Sequence, residues 1–221
     1  VKKRAIILVV LGLLLSFLPN CQRKPKGGPL ELLYIAPFEA GIKQGSDLPG
    51  TGIHYVGLSD KGAEILLDDQ TAFKQKGDSL DRKGSPVEDV DLDLSLRVAW
   101  FTEETLYVAG IAKVTVRDPM PEVASIPTEV PVKYSNAPVT YRVEQGDYIP
   151  GTLVKYLSKR EEGIELSGVE GYPYRKLGDS IVWEGRLKEK VFLQLNVRVI
   201  FIAEHFISVA GTATLLLAPE R

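Results

Sequence analysis

One cysteine, two histidines, two tryptophans and a single methionine stand in 221 residues. With one cysteine no internal disulfide is available, so the folded part must rest on its own packing. So few histidines and cysteines make no zinc cluster, and nothing in the sequence calls for another metal or a cofactor. Charge of one sign is lacking too: 27 basic residues face 29 acidic ones. That balance argues against nucleic acid, which would need a basic face. No segment sustains helical spacing, and no Gly-rich stretch precedes a helix in the manner of a phosphate loop. No apolar run reaches the roughly 20 residues that a membrane-spanning helix needs.

What the chain has instead is a duplication. Residues 36–116 laid over 137–217, 101 positions apart and without a gap, share 25 identities in 81 pairs. Average residue usage would give roughly 5. Ala36-Pro37 falls on Ala137-Pro138, Pro49-Gly50-Thr51 on Pro150-Gly151-Thr152, and Gly77-Asp78-Ser79 on Gly178-Asp179-Ser180. Tyr55 falls on Tyr156, Arg97 on Arg198, and Glu103 on Glu204. A residue kept in both copies serves something that both copies need.

Lys2, Lys3 and Arg4 precede an apolar run over 5–18, interrupted only by Gly12 and Ser16. A basic start with a run of this length reads as a secretory signal helix over 1–20. The only cysteine, Cys21, follows directly on Leu18-Pro19-Asn20. This arrangement resembles the signal peptide and lipobox of bacterial lipoproteins. The resemblance implies that Cys21 becomes the first mature residue and is lipidated, with Leu18 at the minus-three position. It also places the protein across the cytoplasmic membrane, lipid-anchored in the cell envelope. Two acyl chains anchor stably, since each buried methylene adds about 0.8 kcal/mol. The alternative is an uncleaved signal anchor with an incidental cysteine. Loss of the signal leaves 24 basic and 29 acidic residues, which argues against broad adhesion to anionic lipid. Residues 21–35, with Lys24, Pro25, Lys26, Gly27 and Gly28, read as a lipid-anchored tether.

Each copy, 36–117 and 137–221, is built of short strands punctuated by Gly, Pro and Asp. The clearest element is a long hairpin. Val90, Leu92, Leu94, Leu96, Val98 and Trp100 alternate with polar residues, as do Val191, Leu193, Leu195, Val197, Val199 and Phe201 with a mixed set. Successive strand residues point to opposite faces, so each apolar set forms one inward surface. For the return strand to share that face, opposed residue numbers must sum to an even value such as 206. That requires an odd connection, 102–104 and 203–205. Gly110-x-Ala112 and Gly211-x-Ala213 then leave room for a large side chain such as Trp100 or Phe201. Pro49-Gly50 and Pro150-Gly151 fit the centre of a type II turn. The Pro-rich segment 118–136 reads as a stiff connector. The expected fold is all-β: two tandem homologous antiparallel units after the signal helix, each a small barrel or sandwich of about five strands. Units of about 80 residues are small for a self-sufficient core, so the copies should pack together about a pseudo-twofold axis.

Candidate sites come from the kept polar residues. Gly77-Asp78-Ser79-Leu80 spells the motif that names the GDSL hydrolases, in which the serine is the nucleophile. A serine nucleophile needs a base and a group to orient it. The family's Asp-x-x-His is missing: the residue three before His205 is Ile202, and His54 falls on Lys155. A tight Gly-Asp turn explains Asp78, Asp179, Ser79 and Ser180 more simply. Arg97 and Arg198 suit an anion contact, or an architectural ion pair with Glu103/Glu204 or Glu64/Glu165. The acidic run 88–93 keeps only Glu189 in its counterpart, which marks a solvated edge rather than a calcium site. Tyr172, Tyr174 and Trp183 fit a small satellite core or a sugar- or peptide-binding surface. The composite expectation is a non-catalytic envelope lipoprotein, partnered by the membrane through Cys21 and by another envelope protein. The alternatives are a carrier of an apolar small molecule, or a hydrolase using Ser79 or Ser180.

Overall fold

Alternating burial shapes this chain from end to end. The computed structural model describes residues 31–128 and 132–218, and these contain fifteen strands and no helix. The signal segment 1–20, Cys21 and residues 22–30 of the tether lie outside the described residues.

Unit 1 holds β1 (Glu31–Lys43), β2 (Ser46–Leu48), β3 (Ile53–Ser59), β4 (Gly62–Leu67), β5 (Gln70–Lys74), β6 (Arg82–Val87), β7 (Val90–Phe101) and β8 (Thr105–Arg117). They form two four-stranded antiparallel sheets, ordered β1-β8-β7-β6 and β2-β3-β4-β5. Unit 2 holds β9 (Val132–Glu144), β10 (Lys155–Lys159), β11 (Ile164–Ser167), β12 (Tyr174–Arg175), β13 (Ser180–Lys188), β14 (Val191–Ile202) and β15 (Phe206–Leu217). Its large sheet is ordered β13-β14-β15-β9, with a smaller sheet β10-β11-β12. No sheet closes on itself, so the units are sandwiches and not barrels. Unit 1 has eight strands and unit 2 seven, more than the five expected per copy: β1 and β9 pair along β8 and β15, and further short strands complete the smaller sheets.

The hairpin register is the one the shared face demands: Val90 opposes Val116 and Val98 opposes Val108, a constant sum of 206. Five of the six inward positions in each copy are buried. The sixth is not. Trp100 is 56% exposed and Phe201 52%, because a β-bulge follows Val98 in β7 and Val199 in β14. One extra residue reverses the alternation beyond it. The odd residue expected in the loop thus sits in the bulge, and the tip closes with Thr102 N–H donating to the Thr105 carbonyl at 2.9 Å.

The glycines of β8 and β15 have a different role from the one expected. A Cβ on Gly110 would lie 2.0 Å from the Ser95 carbonyl oxygen, and on Gly211 2.1 Å from that of Asn196. They mark close approach of the neighbouring strand's backbone, not room for Trp100, Phe201 or cargo. The Pro49-Gly50 and Pro150-Gly151 turns form as expected. Gly50 and Gly151 take φ of 73° and 77°, and Thr51 and Thr152 donate to Leu48 and Ile149 at 3.2 and 3.1 Å.

Strand begins earlier than the repeat boundary suggested, so 31–35 and 132–136, assigned to tether and connector, belong to β1 and β9. An inserted residue hides the match there. Tyr34 opposes Val114 and Tyr134 opposes Leu215, equivalent rungs of the two ladders, although the tyrosines are 100 positions apart. A bulge at Ser135-Asn136 absorbs the difference, with Asn136 in the left-handed region at φ 57°.

The units share one hydrophobic core. β1 packs against β9, with the Phe38 and Tyr134 rings 5.2 Å apart. Gly151 lies against Leu32, Tyr34 and Leu193, so β1 helps to close unit 2. Pro37 and Pro138 sit within these two edge strands, where a missing N–H faces away from the sheet. The connector is pinned: Met120 N–H donates to Leu187 and Glu122 N–H to Arg186, and Arg186 N–H returns to Glu122. It therefore extends the β13 edge of unit 2. Lys188 pairs with Asp89, joining the two turns opposite the hairpin tips.

Candidate functional site

The kept polar residues gather at one turn in each unit. Gly77 and Gly178 both take φ of 90°. Gln75 N–H donates to the Asp78 carboxylate at 2.7 Å, and Lys176 N–H to that of Asp179 at 2.6 Å. Arg97 Nη1 donates to the Gly77 carbonyl and Arg198 Nη1 to that of Gly178, each at 2.9 Å. Ser79 and Ser180 stand opposite those arginines across the sheet. Their carbonyls accept from Lys74 Nζ at 2.9 Å and Arg175 Nε at 3.0 Å. One bond pattern, repeated residue for residue, braces the turn against the hairpin.

This arrangement answers the expected alternatives for arginine. Arg97 and Arg198 brace a backbone carbonyl rather than Glu64 or Glu165. Glu165 instead accepts from Ser158 at 2.9 Å and Arg160 at 3.2 Å, which holds its carboxyl below the usual range. Glu103 stands at the hairpin tip of unit 1 and Glu204 at that of unit 2. Burial raises the Tyr55 phenol, and the Glu103 charge raises it further. His54 Nδ1 meets Asp47 Oδ1 at 2.9 Å, and the His205 carbonyl accepts from Gln145 N–H at 2.7 Å. Among the described residues no three His, Cys, Asp or Glu side chains converge to hold a metal ion.

The acidic run is tied into ion pairs: Asp93 with Lys83 at 2.9 Å, Asp91 with Arg117, and Asp89 with Lys188. Trp183 is buried in the core, whereas Tyr172 is exposed and packs on Tyr174 at 5.3 Å. An open depression of about 490 Å³ crosses β6–β8 between Lys83, Asp93, Lys113 and Thr115. A second, about 440 Å³, lies between the turns at Glu88 and Glu189. Both have charged walls.

What sequence reasoning missed is the pair of bulge-presented aromatics. In unit 1, Lys76 Nζ lies 5.2 Å from the Trp100 ring, and Tyr107 is Trp100's cross-strand partner. In unit 2, Phe201 packs on Phe206 at 5.7 Å, and the Arg142 guanidinium stands 3.5 Å over Phe206. A cation over an aromatic face is itself attractive. The signal was present: an aromatic is kept at 100 and 201 where the apolar alternation gives way to a continuous run. Both tips lie at the far end of a hairpin about 40 Å long from the Asp89–Lys188 contact. No protein family, curated protein or solved structure matches the chain.

The buried tyrosines form a second group. The Tyr34 hydroxyl is buried beside that of Tyr141. Burial pushes its phenol well above the ordinary value, and Tyr141 pushes it further. Burial also raises Tyr134 and Tyr141.

Proposed function

We propose that the protein is a cell-envelope lipoprotein, held to the membrane through lipid on Cys21, that works as a non-catalytic binding or scaffolding module. One observation carries the reading: the polar residues kept in both copies are bound into turn architecture, while the kept aromatic position is turned outward in both. A hydroxyl whose strand is braced in this way, with no kept histidine, is poor material for a nucleophile. Two exposed aromatic tips on units that share one core suit contact with an envelope partner, because aromatic side chains are enriched in binding hot spots.

Two measurements test the proposal. Cys21→Ser should move the protein from the membrane to the soluble fraction; retention after a carbonate wash overturns the anchor. A photo-cross-linking residue at Trp100 or Phe201 should give one discrete adduct in intact membranes. Its absence at both tips overturns the binding role. Any esterase activity lost in the Ser79→Ala/Ser180→Ala double variant would restore the hydrolase reading.

A further inference from the structure

The outer faces of the two large sheets differ in a way that folding does not require. On unit 1, Leu33, Ile35 and Ile111 are 51%, 49% and 47% exposed. Pro37 opposes Ile111 across the β1–β8 ladder, and Ile35 lies one rung pair away. They form a continuous apolar stripe. The equivalent rungs of unit 2 carry Lys133, the Ser135-Asn136 bulge and Thr212. The same sandwich therefore stands with polar residues there. Elsewhere on its outer face unit 2 covers Phe192 and Leu216, at 8% and 6% exposure, and exposes Val182 and Ile200 as separate residues. An uncovered stripe that the duplicate does without points to a partner surface.

Charge decides the kind of partner. Beside the stripe, Glu31, Asp91 and Asp93 are interleaved with Lys83, Lys113 and Arg117, three of each sign. Most of them pair within the chain, Lys83 with Asp93 and Arg117 with Glu31 and Asp91, so a strongly acidic or basic partner meets no net field of the opposite sign. A surface that is balanced and alternating complements itself when turned about a twofold axis, which is the commonest symmetry of protein dimers. Its strands of 13, 13, 12 and 6 residues present roughly 700 Å², somewhat below the ~800 Å² per partner that a standard stable interface buries.

We infer that the outer face of the β1-β8-β7-β6 sheet is a self-association surface, on which a second copy of this chain packs face to face about the Leu33–Ile35–Ile111 stripe. This inference stands apart from the envelope reading, since it uses neither the tips nor the anchor.

The test uses the full chain carrying Cys21→Ser in mild detergent, so that acyl chains do not drive association. Sedimentation should give a dimer. Leu33→Lys/Ile35→Ser/Ile111→Thr, which installs residues from unit 2, should weaken it at least about tenfold. Val182→Ser/Ile200→Ser, at exposed apolar positions of unit 2, should leave it unchanged. With Cys21 removed, Ile111→Cys supplies the only thiol and should cross-link two copies under mild oxidation; this holds even if the triple variant folds poorly. Three outcomes overturn the inference: a monomer with freely labelled Cys at 111, a monomer whose 111 thiol is shielded by the chain's own N-terminal segment, or a dimer indifferent to the triple variant.

Discussion

The Tyr55 hydroxyl donates to the Thr102 carbonyl, tying the small sheet of unit 1 to the tip of its long hairpin. Its counterpart Tyr156 is equally buried, but its hydroxyl has no hydrogen-bond partner among the described residues. The two copies thus run an internal control on one hydrogen bond. Tyr55→Phe leaves the Thr102 carbonyl unpaired and should cost about 1 kcal/mol. Tyr156→Phe should be neutral or slightly stabilising. Urea denaturation of the two variants checks this; equal losses would refute the assignment.

Gly110 and Gly211 should not tolerate a methyl group. A Cβ 2 Å from a strand carbonyl cannot be met by a rotamer change, so the backbone itself must shift. Overpacking of this kind costs roughly 1–3 kcal/mol or more. Gly84→Ala is the control, because its nearest neighbour is 3.6 Å away and its φ is ordinary. Thermal melts should show a drop for Gly110→Ala and Gly211→Ala and almost none for Gly84→Ala.

Burial raises the phenols of Tyr34, Tyr134 and Tyr141 above the value of about 10 that they have when unfolded. The folded state then holds these protons more tightly than the unfolded state does. The associated stability is fully present below about pH 10 and is lost as pH rises towards the folded values. Absorbance at 295 nm should show a late fraction of tyrosinate that appears only as near-UV dichroism collapses. Tyr134→Phe should shrink that fraction. Complete ionisation with the dichroism intact would contradict the buried placement.

The connector's hydrogen bonds predict a pattern of amide exchange. Met120, Glu122 and Arg186 each donate to a backbone carbonyl and should exchange slowly. Val123, exposed and one residue beyond the last pairing, should exchange fast. Uniformly fast exchange from 118 to 126 would mean that the connector does not join the β13 edge.

The all-β fold, the duplication and the hairpin register were all legible, because period-two alternation in Val90–Val98 and Val191–Val199 leaves one pairing parity. The bulge after Val98 was not. It moves one residue, Trp100, from core to solvent, and its one trace in the sequence is the continuous apolar run that replaces the alternation from Val98 to Phe101. The strand extensions at 31–35 and 132–136 were masked by one inserted residue, which an ungapped alignment cannot see. The arginine roles escaped for another reason: Arg97 reaches a carbonyl 20 positions away, and backbone acceptors leave no trace in sequence.

Pro37 and Pro138 have a consequence for how such a protein changes over time. Each removes one N–H from the facing rim of its half, no ladder joins β1 to β9, and the seam rests chiefly on the packing of Tyr34, Phe38 and Tyr134. A seam of that kind can be retuned one substitution at a time while each half keeps its own ladder. Halves taken from diverged duplicates should rejoin or fail according to those few rings.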